Sequence, residues 1–156
     1  MIKITNDSIS ETSKKAQLSP RKRMNFNFHQ EASDNLQRML NAMEPNTYIQ
    51  PHKHENPDKT EVFFVLRGRI LLVEFNDTGN IIDHIILDPK QGNFGAEVPH
   101  RTWHSLIPLE KGSVAYEVKD GPYIPIEDKN FASWAPAEGD KDCQAYNDKI
   151  LTELGL

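Results

Sequence analysis

The sequence predicts an all-β core, an antiparallel sandwich or small barrel, with short helices before it and one helix after it. Three observations predict this class. Five short runs of β-branched and aromatic residues follow one another between residues 61 and 119. Turn residues separate these runs, with no helical pattern between them of the kind a parallel βαβ sheet requires. Helical periodicity is confined to the two ends of the chain.

The elements follow in order. Ser8 to Leu18 reads as a helix that stops at Ser19-Pro20, because proline disfavours helix in the residue before it. Asn25-Phe26-Asn27-Phe28-His29 alternates and is a candidate extra strand, with His29 read as a packed or surface histidine. Ser33 offers an N-cap for a second helix. Leu36, Met39, Leu40 and Met43 stand at i, i+3, i+4 and i+7 behind it, and Pro45 closes it. From Thr47 the period changes. Residues 61–67, 69–75, 81–87, 102–107 and 113–119 read as strands, divided by Gly68, the cluster 76–80, Asp88-Pro89 and Gly112. A tail helix over 141–154 places Tyr146, Ile150, Leu151 and Leu154 on one face, with Gly155 just past its end.

Composition excludes several classes. At 156 residues, 37% hydrophobic and 26% charged, the chain suits one globular domain rather than a disordered segment. Cys143 is the lone cysteine, which excludes an internal disulfide and a multi-cysteine zinc site. The longest apolar run, residues 62–66, is far too short to span a bilayer, and the polar N-terminus lacks the apolar stretch of a signal peptide. A soluble, cytoplasmic protein without a membrane partner is expected. The net charge of −5 repels a phosphate backbone, so nucleic acid is not an expected partner. Charge is uneven, however: residues 1–24 carry six cations against two acids. Within them Arg21-Lys22-Arg23 is either a solvated cluster or a seat for one small anion, which makes Arg23 a candidate substrate contact.

The histidines are the most informative feature. His52 and His54 are two apart in an extended segment, so their side chains share a face. Glu61 opens the next strand, and His104 lies on a later one behind Trp103. Three imidazoles and a carboxylate suit a divalent transition metal such as iron, zinc, manganese or nickel, and leave open positions on a six-coordinate ion. Tyr48 and Gln50 share parity with His52 and are candidate substrate contacts, as is Arg101 beside the second histidine strand. His84 reads as an outward strand residue, and Trp103 as facing away from His104. Of Tyr116 and Glu117 only one can face the interior, where a carboxylate is costly unless paired. No GxSxG elbow, P-loop or GxGxxG is present.

His52-Lys53-His54, Glu61 and Gly68 resemble the first cupin motif, and Pro99-His100-Arg101-Thr102-Trp103-His104 resembles the second. That resemblance implies a double-stranded β-helix, the cupin jelly-roll barrel, holding one divalent metal on His52, His54, Glu61 and His104. The spacer between His54 and Glu61 is longer than the family usually has, which leaves Glu55 and Asp58 as alternatives to Glu61. His100 likewise competes with His104. Asn46 and Arg101 stand where the two motifs have glycine, and Pro108 where the second has asparagine.

A narrower resemblance covers most of the chain. SPRKRMNFNFH (19–29), QRMLNAMEPNTYIQPHKH (37–54), EVFFVLRG (61–68), EVKDGPYIP (117–125) and WAP (134–136) are similar to the WbuC family of cupin-fold metalloproteins. That family is associated with bacterial surface-polysaccharide gene clusters. The expected organisation is an N-terminal extension (1–45) packed on the barrel, the barrel itself (46–126) and a C-terminal extension with a helix (127–156). Three functional readings follow. One is a metal-dependent isomerase, lyase or oxygenase acting on a small, sugar-derived substrate. The second is a non-catalytic metabolite-binding or sensor cupin, and the third a metal-independent sugar-nucleotide isomerase or epimerase. A homodimer is expected, since a barrel of this kind leaves strand edges that invite pairing.

Overall fold

The computed structural model describes residues 1–124 and 129–156. The expected boundary between barrel and C-terminal extension, at 126/127, lies outside the described residues. The chain opens with helix α1 (Asn6–Leu18), which starts two residues earlier than its periodicity suggests because Thr5 caps it. The Thr5 side chain accepts from the Ser8 N–H, and the Ser8 side chain accepts from the Thr5 N–H, a reciprocal capping box. Strands β1 (Arg23–Asn27), β2 (Leu36–Met43), β3 (His52–Lys53), β4 (Glu61–Arg67), β5 (Ile70–Phe75) and β6 (Ile81–Leu87) follow. A 3-10 turn leads to β7 (Gly95–Val98), β8 (Trp103–Pro108), β9 (Ser113–Asp120), β10 (Asn130–Phe131) and helix α2 (Cys143–Glu153).

Among the described residues two five-stranded antiparallel sheets result, ordered β1-β2-β9-β4-β7 and β10-β3-β8-β5-β6. This is the double-stranded β-helix expected. Their facing sides enclose a core of Met43, Ile49, Phe63, Val65, Ile70, Leu72, Leu87, Val98, Leu106 and Ala115. Period-2 alternation sorts the rest. On β4, Glu61, Phe63 and Val65 point inward and are buried, while Phe64 and Leu66 are exposed. On β9, buried Ala115, Glu117 and Lys119 alternate with Tyr116 and Val118.

The helix expected over residues 33–45 is instead β2. Its eight residues pair with β9 from Leu36↔Asp120 to Met43↔Ser113, and five of them pair with β1. The helical spacing misleads because both faces of this strand are covered. Leu40 and Ala42 pack with Ile9, Ala16, Phe28 and Val114 under α1, while Met43 faces the barrel core. A strand buried on both sides carries apolar residues at nearly every position, and some of them fall at i, i+3, i+4 and i+7 by chance.

The second sheet is sealed on its outer side by α2. Ile150 is buried against Leu71, Val73, Phe75 and Ile107, with Tyr146, Leu151, Leu154, Trp103 and Trp134 packed around it. Gly68 turns the chain from β4 into β5 at φ 80°. A side chain there would overlap the Ser113 hydroxyl, so the position needs glycine on both conformational and steric grounds. No helix among the described residues is long and apolar enough to cross a membrane.

Candidate metal centre

Three separate elements bring four side chains together at one end of the barrel. His52 lies on β3 directly opposite His104 on β8, with ring centroids 4.4 Å apart. His54 follows just past β3, held where its carbonyl accepts the Arg101 N–H at 2.9 Å. Glu61 opens β4, paired with Val98 on one side and Lys119 on the other. One donor atom from each of the four lies within 4.8 Å of the others, and none of the four is more than 2% exposed.

Hydrogen bonds determine which nitrogens face the centre. His52 Nδ1 lies 2.9 Å from the Gln50 carbonyl, and His104 Nδ1 lies 2.9 Å from the Thr102 carbonyl. A carbonyl only accepts, so both Nδ1 atoms carry the proton and both Nε2 lone pairs are left for the centre. Burial, reinforced by nearby Lys129 and His104, holds His52 well below the ordinary imidazole value, so it is neutral. Burial alone would raise Glu61, but contacts with His104 and His54 outweigh it and hold the carboxyl well below its usual range. Glu61 Oε2 lies 2.8 Å from His104 Nε2, and Oε1 lies 3.1 Å from His54 Nε2. A carboxylate oxygen and an imidazole lone pair approach this closely only with a cation between them, a proton or a metal ion. Three histidines converging on one buried carboxylate fit a divalent metal by geometry and by donor chemistry.

The alternative ligands face elsewhere. Glu55 pairs with Lys53 at 2.6 Å, and Asp58 takes the Arg101 guanidinium at 3.0 Å with His100 at 3.7 Å. The long spacer is thus a surface turn closed by ion pairs, and it leaves Glu61 in register at the start of β4. Arg101 stands in that exposed pair, away from the barrel interior. Both positions where the motifs have glycine are left-handed here, Asn46 at φ 70° and Arg101 at φ 65°.

A cavity of about 650 Å³ adjoins the centre. Glu117 and Lys119 on β9 and Phe131 on β10 line it, and they connect it to the four residues. Lys119 Nζ is 3.8 Å from Glu61, and the Phe131 ring is 6.2 Å from His52. Glu117 is buried and accepts from Asn41 Nδ2 at 2.9 Å; burial and the Glu61 charge push its carboxyl upward. Among the candidate substrate contacts, Gln50 and Arg23 line this cavity. Tyr48 does not, because its hydroxyl donates to the Pro136 carbonyl at 2.7 Å and its ring packs on Tyr146.

Sequence reasoning missed Gln37, Met39 and Asn41 on the cavity wall, since it placed them on a helix, and a strand covered on both faces offers no clean alternation against that reading. It also missed Lys119 and Glu138. His29 lines the cavity too, and its Nδ1 accepts from the Arg38 N–H at 3.1 Å. His84 is exposed on β6, and Trp103 faces outward against Trp134.

Residues 4–87 match a protein family described as a domain of unknown function, DUF6016. The chain belongs to this family. The DUF6016 match includes His52, His54 and Glu61 but ends before His104. No curated protein matches the chain. Among solved structures it is similar to the capsular polysaccharide assembling protein CapF from Staphylococcus aureus, with TM-score 0.59 and 17% identity over 72% of this chain. It is also similar to KdgF from Halomonas sp. (0.51, 16%, 66% of this chain and 82% of that one). TT1209 from Thermus thermophilus gives 0.54 and 19% over 80% of this chain and 100% of that one. The chain spans about a third of CapF, 32% of its length. At these identities the likeness is one of fold.

Proposed function

We propose that this DUF6016 protein is a metal-dependent cupin of the WbuC type. It binds one divalent transition metal through His52, His54, Glu61 and His104, and acts on a small, sugar-derived molecule in the adjoining cavity. The observation that carries this reading is the 2.8 Å approach of His104 Nε2 to Glu61, made while the Nδ1 proton is committed to the Thr102 carbonyl. A metal held there would polarise an oxygen of the bound molecule. Around it Lys119 offers a positive charge, Glu117 a carboxyl that burial favours in its neutral, proton-bearing form, and Asn41 fixes the orientation of that carboxyl.

The sugar assignment is supported by the WbuC-like stretches, which include the β1–β2 cavity wall (19–29 and 37–54), and by a lining rich in amides. Surface-polysaccharide metabolism in a bacterial cytoplasm and a homodimeric assembly complete the proposal. Metal-loaded and metal-stripped protein should be incubated with a panel of sugar nucleotides and sugar acids, and the products followed by chromatography and NMR. Isomerisation, elimination or oxidation that requires the metal supports the reading. Turnover by metal-stripped protein would assign the histidines to acid–base work instead. Ligand-induced melting shifts without turnover would make the protein a binding module.

A further inference from the structure

The cavity beside the metal centre also contains two arginines closed on a carboxylate supplied by the chain itself. Arg21 reaches Glu138 Oε1 through Nε at 2.6 Å and Oε2 through Nη2 at 3.0 Å, a two-pronged grip. Arg23 Nη2 reaches the same Oε2 at 2.6 Å. All three residues line the cavity. Arg23 does not depend on Glu138 for its position, since its Nη1 donates to the Tyr48 carbonyl at 2.7 Å and to Thr47 Oγ1 at 3.3 Å. Its guanidinium therefore stays aimed into the cavity if the carboxylate leaves. Glu138 sits in the loop before α2, next to Gly139 at φ 97°, where an added side chain would meet nothing within 4 Å. Glu138 is about a third exposed, so its side chain can swing out to solvent without the loop moving.

The rest of the wall suits hydroxyl groups: Asn25, Asn27, Gln37, Asn41 and Gln50 supply neutral amides that both donate and accept. We propose that Arg21 and Arg23 form a carboxylate subsite of this cavity, in which Glu138 is the displaceable internal occupant and whose external ligand is a sugar acid. The inference rests on the reading of this cavity as the substrate pocket and does not require the metal.

The test is calorimetric titration of D-glucuronate, D-glucose and D-glucose 1-phosphate into the parent protein, Glu138→Gln and the double variant Arg21→Gln/Glu138→Gln. Glu138→Gln should bind D-glucuronate about tenfold tighter than the parent, the scale of one charge-assisted hydrogen bond no longer contested. Binding of D-glucose should be unchanged, and the double variant should lose the gain. A cooperative melt above the titration temperature in each variant separates loss of binding from loss of fold. No gain in Glu138→Gln, an equal gain for D-glucose, or tighter binding of the sugar phosphate than of the sugar acid would overturn the assignment. Each titration is repeated on chelator-treated protein with metal content measured in parallel. A gain in a protein that holds no metal either as purified or after reconstitution defeats only the metal reading, whereas one bound metal without the gain defeats only this inference.

Discussion

Replacing Leu40 by alanine removes a side chain with no solvent exposure from the layer between α1 and the first sheet. Leu→Ala changes in cores cost roughly 2–5 kcal/mol, depending on how far the site can collapse. Leu40 is backed by β2 and its two paired neighbours, which limit collapse, so a cost of about 3–4 kcal/mol is expected. For a domain of this length each kcal/mol shifts the melting point by about 2–4 °C, giving a fall of roughly 6–16 °C. Asn41, the next residue, points to the other side and donates to buried Glu117 at 2.9 Å. Asn41→Ala should cost less, about 1–3 kcal/mol, because it leaves a buried acceptor without its donor rather than opening a core cavity. Urea denaturation gives both values, and amide exchange shows which element loosens: α1 in Leu40→Ala, the cavity wall in Asn41→Ala. A Leu40→Ala cost below about 1 kcal/mol, or exchange rising in the cavity wall instead of α1, would refute the alternating-strand argument.

Three further outcomes are expected. Zinc at a hundred times its dissociation constant should stabilise the chelator-treated protein by about 2.7 kcal/mol, a rise of about 5–11 °C in a thermal melt that excess chelator reverses. Although burial raises it, Glu138 is held below its usual 4.5 by Arg21 and Arg23, so its stabilisation is present above that pH and fades as pH falls through the depressed value. The melting gap between the parent and Glu138→Gln should accordingly be full near neutrality and close in acid; a gap independent of pH contradicts the ion pair. Gly68→Ala combines a left-handed backbone with overlap on fully buried Ser113, and should destabilise by more than about 2 kcal/mol in urea.

Much of the barrel was readable because its strands are β-branched and aromatic runs bounded by turn residues. The run 61–67 coincides with β4, where one face is buried and the other open, and 81–87 coincides with the edge strand β6. The tail helix was equally readable, since its stripe covers a single outer sheet face. β2 was not, because two covered faces erase the alternation that marks a strand. The short β7 and β10 carry too few residues for any period to show. At the centre, HxH spacing revealed a shared face, but only the register of β3 against β8 shows His52 opposite His104. The long turn obscured the choice among Glu55, Asp58 and Glu61; the ion pairs of Arg101 and Lys53 resolve where each acid points. Tyr48 failed the parity argument because the chain between residues 48 and 51 is not strand, so side-chain alternation does not carry through it. Glu138 lay beyond sequence reasoning altogether, since 115 residues separate it from Arg23.

Elemental analysis of untagged protein, beside His52→Ala and His104→Ala, tests the central claim most directly. The account predicts about one equivalent of a transition metal in the parent and its loss in both variants. A parent protein that holds no metal even after reconstitution, or variants that keep the parent's content, would contradict it.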